Sequence, residues 1–279
     1  MQPCLAVQLR KDRAHYINHP LELPLHSEEE FVERFWSGVT ERTRVIYISH
    51  TTSPTALTFP CKKFAGGRAA GHVERDRRAH VPGQRDLYLD DIGCDFYTGN
   101  CHKWMGGPKG SAFLYVRPEV QHLIEPLIVG HGWHPGEKIE QAAARLCRAI
   151  WHADLAAFLA IPAAIDYMQA HDWSQVRARC YQMALTTKRT VEQMFDTESI
   201  CPETFAWFSQ LCPVRLPDQT DMGKLGQILR EQYQIEMPMI TWHTFKIARL
   251  SVQIYTTQAE LDTFVGALEK HVPECLVKS

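Results

Sequence analysis

The chain has 279 residues, of which 45% are hydrophobic and 22% charged, an ordinary globular composition with enough apolar side chains for a sizeable core. A formal net charge of -2 supplies no basic field to draw the chain to nucleic acid or to an acidic membrane surface, and no apolar run reaches the length that crosses a bilayer. Nine cysteines, odd in number and scattered without a C-x-x-C pair, point to reduced thiols and a cytoplasmic protein. The N-terminal segment carries its charges after its short apolar stretch, the reverse of a signal peptide.

In chain order, Ser27 to Val39 reads as a helix. Ser27 caps it, Glu30 completes a capping box, and Phe31, Val32, Phe35 and Trp36 form the apolar stripe. Arg44 to Ser49 reads as a buried strand ending in the polar loop His50–Thr55, which together suggest an α/β unit with its ligand loops at the strand ends. Cys61 to Arg78 should hold another buried strand. Its composition opposes that, with six lysines and arginines against one Glu and one Asp. Cys94–Thr98 and Ser111–Val116 read as short strands presenting the loop Gly99–Gly110. From Asp154 to Phe195 the pattern is helical, with a break near His171-Asp-Trp. A strand at Cys212–Leu216, a helix capped by Asp221, a strand at Ile247–Tyr255 and a helix capped by Thr257 with Glu260 then make a small α+β unit.

The Gly99–Gly110 loop is where chemistry concentrates. A lysine that condenses with an aldehyde must be held in place and partly desolvated so that it is often a free amine. Lys103 lies between aromatic and glycine residues, and His102 beside it offers a donor for a phosphate. On these residues alone a solvated surface lysine is the commoner outcome. The run Gly106–Ser111 imitates a nucleotide-binding loop, but the G-x-x-x-x-G-K-[ST] spacing is absent. Fourteen histidines and the pair His131 and His134 raise a metal-binding reading, which the spacing and the lack of a carboxylate partner disfavour; no metal is expected.

Residues Asp95 to Arg117 (DFYTGNCHKWMGGPKGSAFLYVR) resemble, without a gap, the cofactor-lysine segment of class V aminotransferases, a family that includes cysteine desulfurases. The nearest likeness is to the isopenicillin N epimerase-like branch. Ile48-Ser-His50 with Ser53-Pro-Thr55, Ala79–Gln84, and Arg249–Ser251 leading to Tyr255–Thr257 extend the resemblance from about Tyr16 to the C-terminus. It implies fold type I of the pyridoxal-phosphate (PLP)-dependent transferases: an α/β large domain, incomplete over 1–155, with a mixed, mostly parallel sheet, then connecting helices and a small α+β domain over 156–279. It also implies pyridoxal 5'-phosphate as cofactor, an amino-acid substrate and a homodimer. By the same resemblance Lys103 carries the cofactor as an internal aldimine and moves the proton at the substrate Cα. His102 and Asn100 match phosphate contacts, the latter commonly Ser in relatives. His80 matches a residue beside the phenolic oxygen, Ser53 lies on a neighbouring loop, and Arg249 matches the arginine that grips the substrate carboxylate.

The chain departs from the family pattern at three places. The aspartate that secures the protonated pyridine nitrogen stands three residues before the position of His80; here that position is Arg77, and Asp76 is one place off. A one-residue slip in a strand turns a side chain to the other face. The Gly-Thr-Arg-Asp-like turn of relatives reads Ala149-Ile-Trp-His-Ala-Asp154, and the portion matching the family's first third is absent. Residues 1–15, 61–78 and 145–153 stand between well-matched blocks as a local slip of reading frame would leave them, which resequencing the gene tests. Two functional expectations follow: a PLP-dependent epimerase- or aminotransferase-like enzyme, or an inactive remnant that keeps the fold and dimerises. No cysteine is placed as a desulfurase nucleophile, and Cys101 reads as a small buried filler.

Overall fold

The computed structural model describes residues 15–64, the backbone of 73–78, and residues 80–124 and 155–277. The first helix, α1 (Glu28–Ser37), begins where the sequence requires: Ser27 Oγ accepts from the Glu30 amide at 3.0 Å. The expected capping box is shifted by one residue, because the Glu30 carboxylate accepts from the His26 amide at 2.7 Å rather than from Ser27. Phe31, fully buried, stacks on Phe59 with ring centroids 4.2 Å apart, and Phe35 meets Phe64 edge-on at 4.6 Å. These aromatic contacts fasten the helix to the chain that follows the first strand.

That strand, β1 (Val45–Ser49), opens a four-stranded sheet of order β1-β2-β3-β4, with β2 (Val73–Arg78), β3 (Phe96–Asn100) and β4 (Ala112–Val116). β1, β2 and β3 run parallel and β4 is antiparallel, a mixed and mostly parallel sheet as expected. A strand does form within the basic stretch Cys61–Arg78, and it takes an interior place in the sheet. The expectation of a buried strand at Arg44–Ser49 holds for one face only: Ile46 and Ile48 are buried, whereas Val45 and Tyr47 are 47% and 38% exposed. Alternate residues of a strand point to opposite faces, and here one face is covered and the other is open. Tyr97, fully buried on β3, stacks on Phe113 of β4 and closes the covered face at that edge.

A short helix, α2 (Leu89–Ile92), lies between β2 and β3, and three more helices follow the sheet, α3 (Ala156–Leu159), α4 (Ile161–Ala170) and α5 (Trp173–Met194). The break at His171-Asp172 is where it was expected, and Asp172 takes a left-handed φ of 44°. A second, antiparallel sheet of order β5-β7-β6 comprises β5 (Leu211–Leu216), β6 (Met239–Trp242) and β7 (Phe245–Ser251). Helices α6 (Met222–Tyr233) and α7 (Gln258–His271) carry the predicted caps, Asp221 and the full Thr257–Glu260 box. Strand β7 ends four residues earlier than expected: the Val252 amide still donates to Gln210 O, opposite it in register, and beyond it the chain turns, with Gln253 N donating to Thr256 Oγ1 and Thr256 N to Gln253 O.

One apolar core joins both parts of the chain. Leu25, Phe31, Ile48, Leu57 and Phe59 from the first part cluster with Leu185, Phe208, Val214, Leu225, Ile247 and Phe264 from the second. At about 25 cal/mol per Å² of apolar surface, burying one Leu or Phe contributes roughly 1.5–3 kcal/mol, so this shared cluster is the main adhesive between the two sheets.

Candidate active site

The sheet's geometry explains why Lys103 is presented. β3 and β4 are an antiparallel pair, and the chain between them forms a tight cap over their ends. Cys101 N donates to Ser111 O at 3.0 Å, Gly107 N to Cys101 O at 2.9 Å, and Gly106 N to Lys103 O at 3.2 Å. Ser111, fully buried, adds a hydroxyl bond to Pro108 O at 2.7 Å. The loop is therefore a fixed platform.

Lys103 Nζ lies 3.1 Å from His80 Nε2. His80 is 7% exposed, and Trp104 Nε1 donates to its other nitrogen, Nδ1, at 3.4 Å. Burial pushes the imidazole pKa down to about 3, reinforced by the positive charges of Lys103 and Arg249, so His80 is neutral at physiological pH. Arg249, on β7, reaches across to the loop after β1, where its Nη1 donates to Ser53 O at 2.6 Å and to Ser53 Oγ at 2.9 Å. Its Nε is buried and has no hydrogen-bond partner among the described residues. His102 Nδ1 donates to Ser111 O at 2.9 Å, which leaves Nε2 as the nitrogen available to a ligand. Asn100 closes β3, opposite Ala112.

Four sequence-predicted residues are thus drawn into one neighbourhood: Lys103 and His80 by a direct contact, Arg249 by its charge on His80, and Ser53 through Arg249. His102 and Asn100 flank Lys103 on the same loop, with no bond to that group. The Cα register aligns Arg77 with Ser49 and Thr98, and Asp76 with Ile48 and Tyr97. The histidines His131 and His134 and the segment Ala149–Asp154 lie outside the described residues, as do 1–14 and 65–72. No group of three or more His, Cys, Asp or Glu among the described residues could hold a metal ion. Cys101 is buried and its thiol pKa is raised by burial, as a filler rather than a nucleophile requires.

Four residues that sequence reasoning missed support this group. Gln84 is 1% exposed, its Nε2 donates to His80 O at 2.6 Å, and its Oε1 accepts from Ser209 Oγ at 2.7 Å and Leu211 N at 3.0 Å. Trp173 Nε1, at the start of α5, donates to Gly83 O at 2.7 Å. Gly83 has φ of 91° and a Cβ there would meet the Trp104 carbonyl at 2.4 Å, so only glycine lets the two loops touch. Trp104 is the fourth, through His80. Gln84 and Gly83 belong to the matched segment Ala79–Gln84, which was the one available signal.

The donor set fits pyridoxal 5'-phosphate: an amine for its aldehyde, a neutral buried imidazole beside that amine, and a guanidinium whose buried Nε lacks a partner among the described residues. Comparison with known proteins agrees. The chain is 28% identical to isopenicillin N epimerase of Amycolatopsis lactamdurans over 259 residues, covering 88% of this chain and 65% of that protein. It is 30% identical to isopenicillin N epimerase of Streptomyces clavuligerus over 239 residues, covering 82% of this chain and 60% of that protein. The chain therefore spans less than two thirds of the length of these curated relatives. The solved apo structure of cysteine desulfurase from Thermococcus onnurineus superposes with a TM-score of 0.75 at 16% identity, covering 97% of this chain and 70% of that one, which establishes the PLP fold type I. The sequence profile of aminotransferase class-V matches residues 10–264, and the chain belongs to that family, whose cofactor is pyridoxal 5'-phosphate.

Proposed function

We propose that this chain acts on an amino acid with pyridoxal 5'-phosphate bound at Lys103, as an epimerase- or aminotransferase-like enzyme working as a cytoplasmic homodimer. The observation that carries the reading is the contact of Lys103 Nζ with the buried, neutral His80 at 3.1 Å. When bound, the cofactor supplies an electron sink for charge developing at the substrate Cα. The rest is the work of this chain's residues. Lys103 holds and returns the proton at Cα, and the tight loop beneath it fixes where that proton goes. His80 supplies a neutral hydrogen-bonding group next to the amine without competing for its proton. Arg249 binds the substrate carboxylate; with Nη1 on Ser53, its buried Nε is the donor with most to gain. His102 and Asn100 bind phosphate at the rim of the loop. In this reading residues 1–155 supply the amine and 156–279 the carboxylate clamp. No helix among the described residues is long and apolar enough to cross a membrane, which is compatible with that location.

A second reading, a remnant that keeps the fold without activity, is favoured by one observation. Asp76 and Arg77 sit one register step apart on β2, and the acid is not at the family's position for the pyridine nitrogen. The two readings part on an absorbance spectrum of the purified chain with added pyridoxal phosphate, beside Lys103→Ala. A yellow band that requires Lys103 supports the enzyme, and amino-acid turnover is then screened. Identical spectra from the two proteins sink the first reading and leave the remnant.

A further inference from the structure

Outside the Lys103 neighbourhood, a phenol, an imidazole and a carboxylate are connected bond to bond. Tyr233 closes α6, His271 closes α7, and Glu274 lies in the short 3-10 helix Pro273–Cys275 that follows. Tyr233 Oη is 3.0 Å from His271 Nε2, and His271 Nδ1 is 3.0 Å from Glu274 Oε2. Glu274 is ionised at neutral pH, its pKa lowered chiefly by the hydrogen bond from His271 and also by the charges of Lys224 and Lys270. A carboxylate only accepts, so this contact places an imidazole proton on Nδ1. In the neutral ring Nε2 then carries the lone pair, and the Tyr233 hydroxyl donates to it. The order of groups is that of a nucleophile, its general base and the acid that orients the base.

We propose that Tyr233 is a nucleophilic modification site for activated acyl donors, with His271 as its base and Glu274 holding that base in orientation. His271 is 5% exposed, and Leu268 and Val272 on either side of it are buried in the core, so its ring has a fixed backbone beneath it. The Tyr233 and His271 rings meet at 72° with centroids 5.6 Å apart. The base is thus shielded, while Tyr233 is only half-buried. None of the three side chains makes another side-chain hydrogen bond among the described residues. Lys224, which donates to Glu274 O at 2.7 Å, and Lys270 are the other charged groups that act on the set. The phenol oxygen attacks the acyl carbon as its proton passes to His271 Nε2. The bond from that carbon to the leaving group breaks, and the leaving group takes the proton from the imidazolium. The product is an O-acyl tyrosine with no redox change, and nothing in this step rests on the role proposed for Lys103.

The test acetylates the full chain with limiting N-acetylimidazole and ranks its nine tyrosines by peptide mass spectrometry. Reversal by hydroxylamine separates phenol esters from lysine amides. Tyr255, 79% exposed, is the internal reference, because exposure alone makes it react before Tyr233. Base assistance should instead make Tyr233 react at least about tenfold faster than Tyr255, a modest share of what a positioned general base supplies. The Tyr233 rate should level off below about pH 9, whereas an unassisted phenol keeps gaining until it ionises near 10. His271→Gln should bring Tyr233 down to the rate of the reference. Labelling of Tyr233 no faster than Tyr255 overturns the proposal without any variant, and so does a rate that climbs with phenol ionisation. The proposal therefore remains decidable if His271→Gln does not fold. A folded His271→Gln that keeps the fast rate overturns it as well.

Discussion

The two sheets are held by different means. The β5-β7-β6 sheet lies against the shared apolar core over most of its length: Cys212, Val214, Leu216, Ile247, Ala248 and Leu250 are all buried in it, with residues of α5, α6 and α7 around them. The four-stranded sheet that presents Lys103 leaves Val45, Tyr47 and Leu114 about half exposed, and the loops at its strand ends are tied down by polar contacts with the second part of the chain. The apolar half can tolerate loss of a methyl or two. The half that carries the candidate chemistry depends on a few hydrogen bonds whose partners are fully buried, and each is expensive to break.

The most disruptive change should nonetheless fall in the apolar half, at the buried ion pair of α5. Lys188, with no exposed surface, pairs with Glu192 within α5 and donates to Ser199 Oγ at 2.8 Å, while Glu192 accepts from Arg215 N at 2.9 Å. Lys188→Met should destabilise by about 3–5 kcal/mol in denaturant unfolding, since it strands a buried carboxylate. Burial raises the Glu192 pKa, so the folded state binds its proton more tightly than the unfolded chain. Stability then declines as pH rises past the ordinary carboxylate range, and the variant's deficit should be larger at pH 8 than at pH 5. A deficit that shrinks with pH would contradict this account.

His80 gives the site half an acid limit. Its pKa is lowered from 6.5 to about 3 in the folded state, so the unfolded chain binds the proton more tightly. Stability is lost as pH falls from about 6.5 toward 3, by on the order of 4 kcal/mol if no other group compensates. His80→Gln should flatten that limb of the stability curve; an unchanged acid limb would place its cause elsewhere. Gln84→Ala comes next. It removes three hydrogen bonds and leaves the Leu211 amide and the His80 carbonyl buried, at about 2–4 kcal/mol. If the site half depends on such contacts, the variant should also lose the Lys103-dependent absorbance, whereas an apolar truncation of similar cost such as Leu225→Ala should keep it. The smallest expected effect is Thr257→Ala at the N-terminus of α7, about 1 kcal/mol in the same unfolding measurement, with the site untouched.

Legibility follows the same division. Helices α6 and α7 could be read from Asp221 and from Thr257 with Glu260, because caps are local signals three residues long. The loop around Lys103 was legible through the long ungapped match, and its strands β3 and β4 were placed to within two residues. Strand β6 was missed: four residues after Pro238 with no run of alternation give the pattern nothing to register. The strand within 61–78 could not be trusted because Val73–Arg78 holds one apolar residue, and its place comes from pairing with β1 and β3 rather than from propensity. The open face of β1 was invisible because burial belongs to the neighbours of a strand and not to its own residues. Gln84 was read only as part of a matched string. Its work is defined by Ser209 and Leu211, and no local pattern reports a partner 125 residues away.

That separation also bears on when the site comes into being. Contacts far apart in sequence close late, after the loop entropy between them has been overcome. During synthesis, Lys103 and His80 leave the ribosome long before Ser209 and Leu211 do. Until those two arrive, Gln84 Oε1 lacks both of these partners, and its Nε2 bond to His80 O ties the loop only to itself. A nascent chain halted short of Leu211 should therefore carry Lys103 as an ordinary surface lysine. Competence would appear only when the second sheet docks, an assembly checkpoint written into one glutamine.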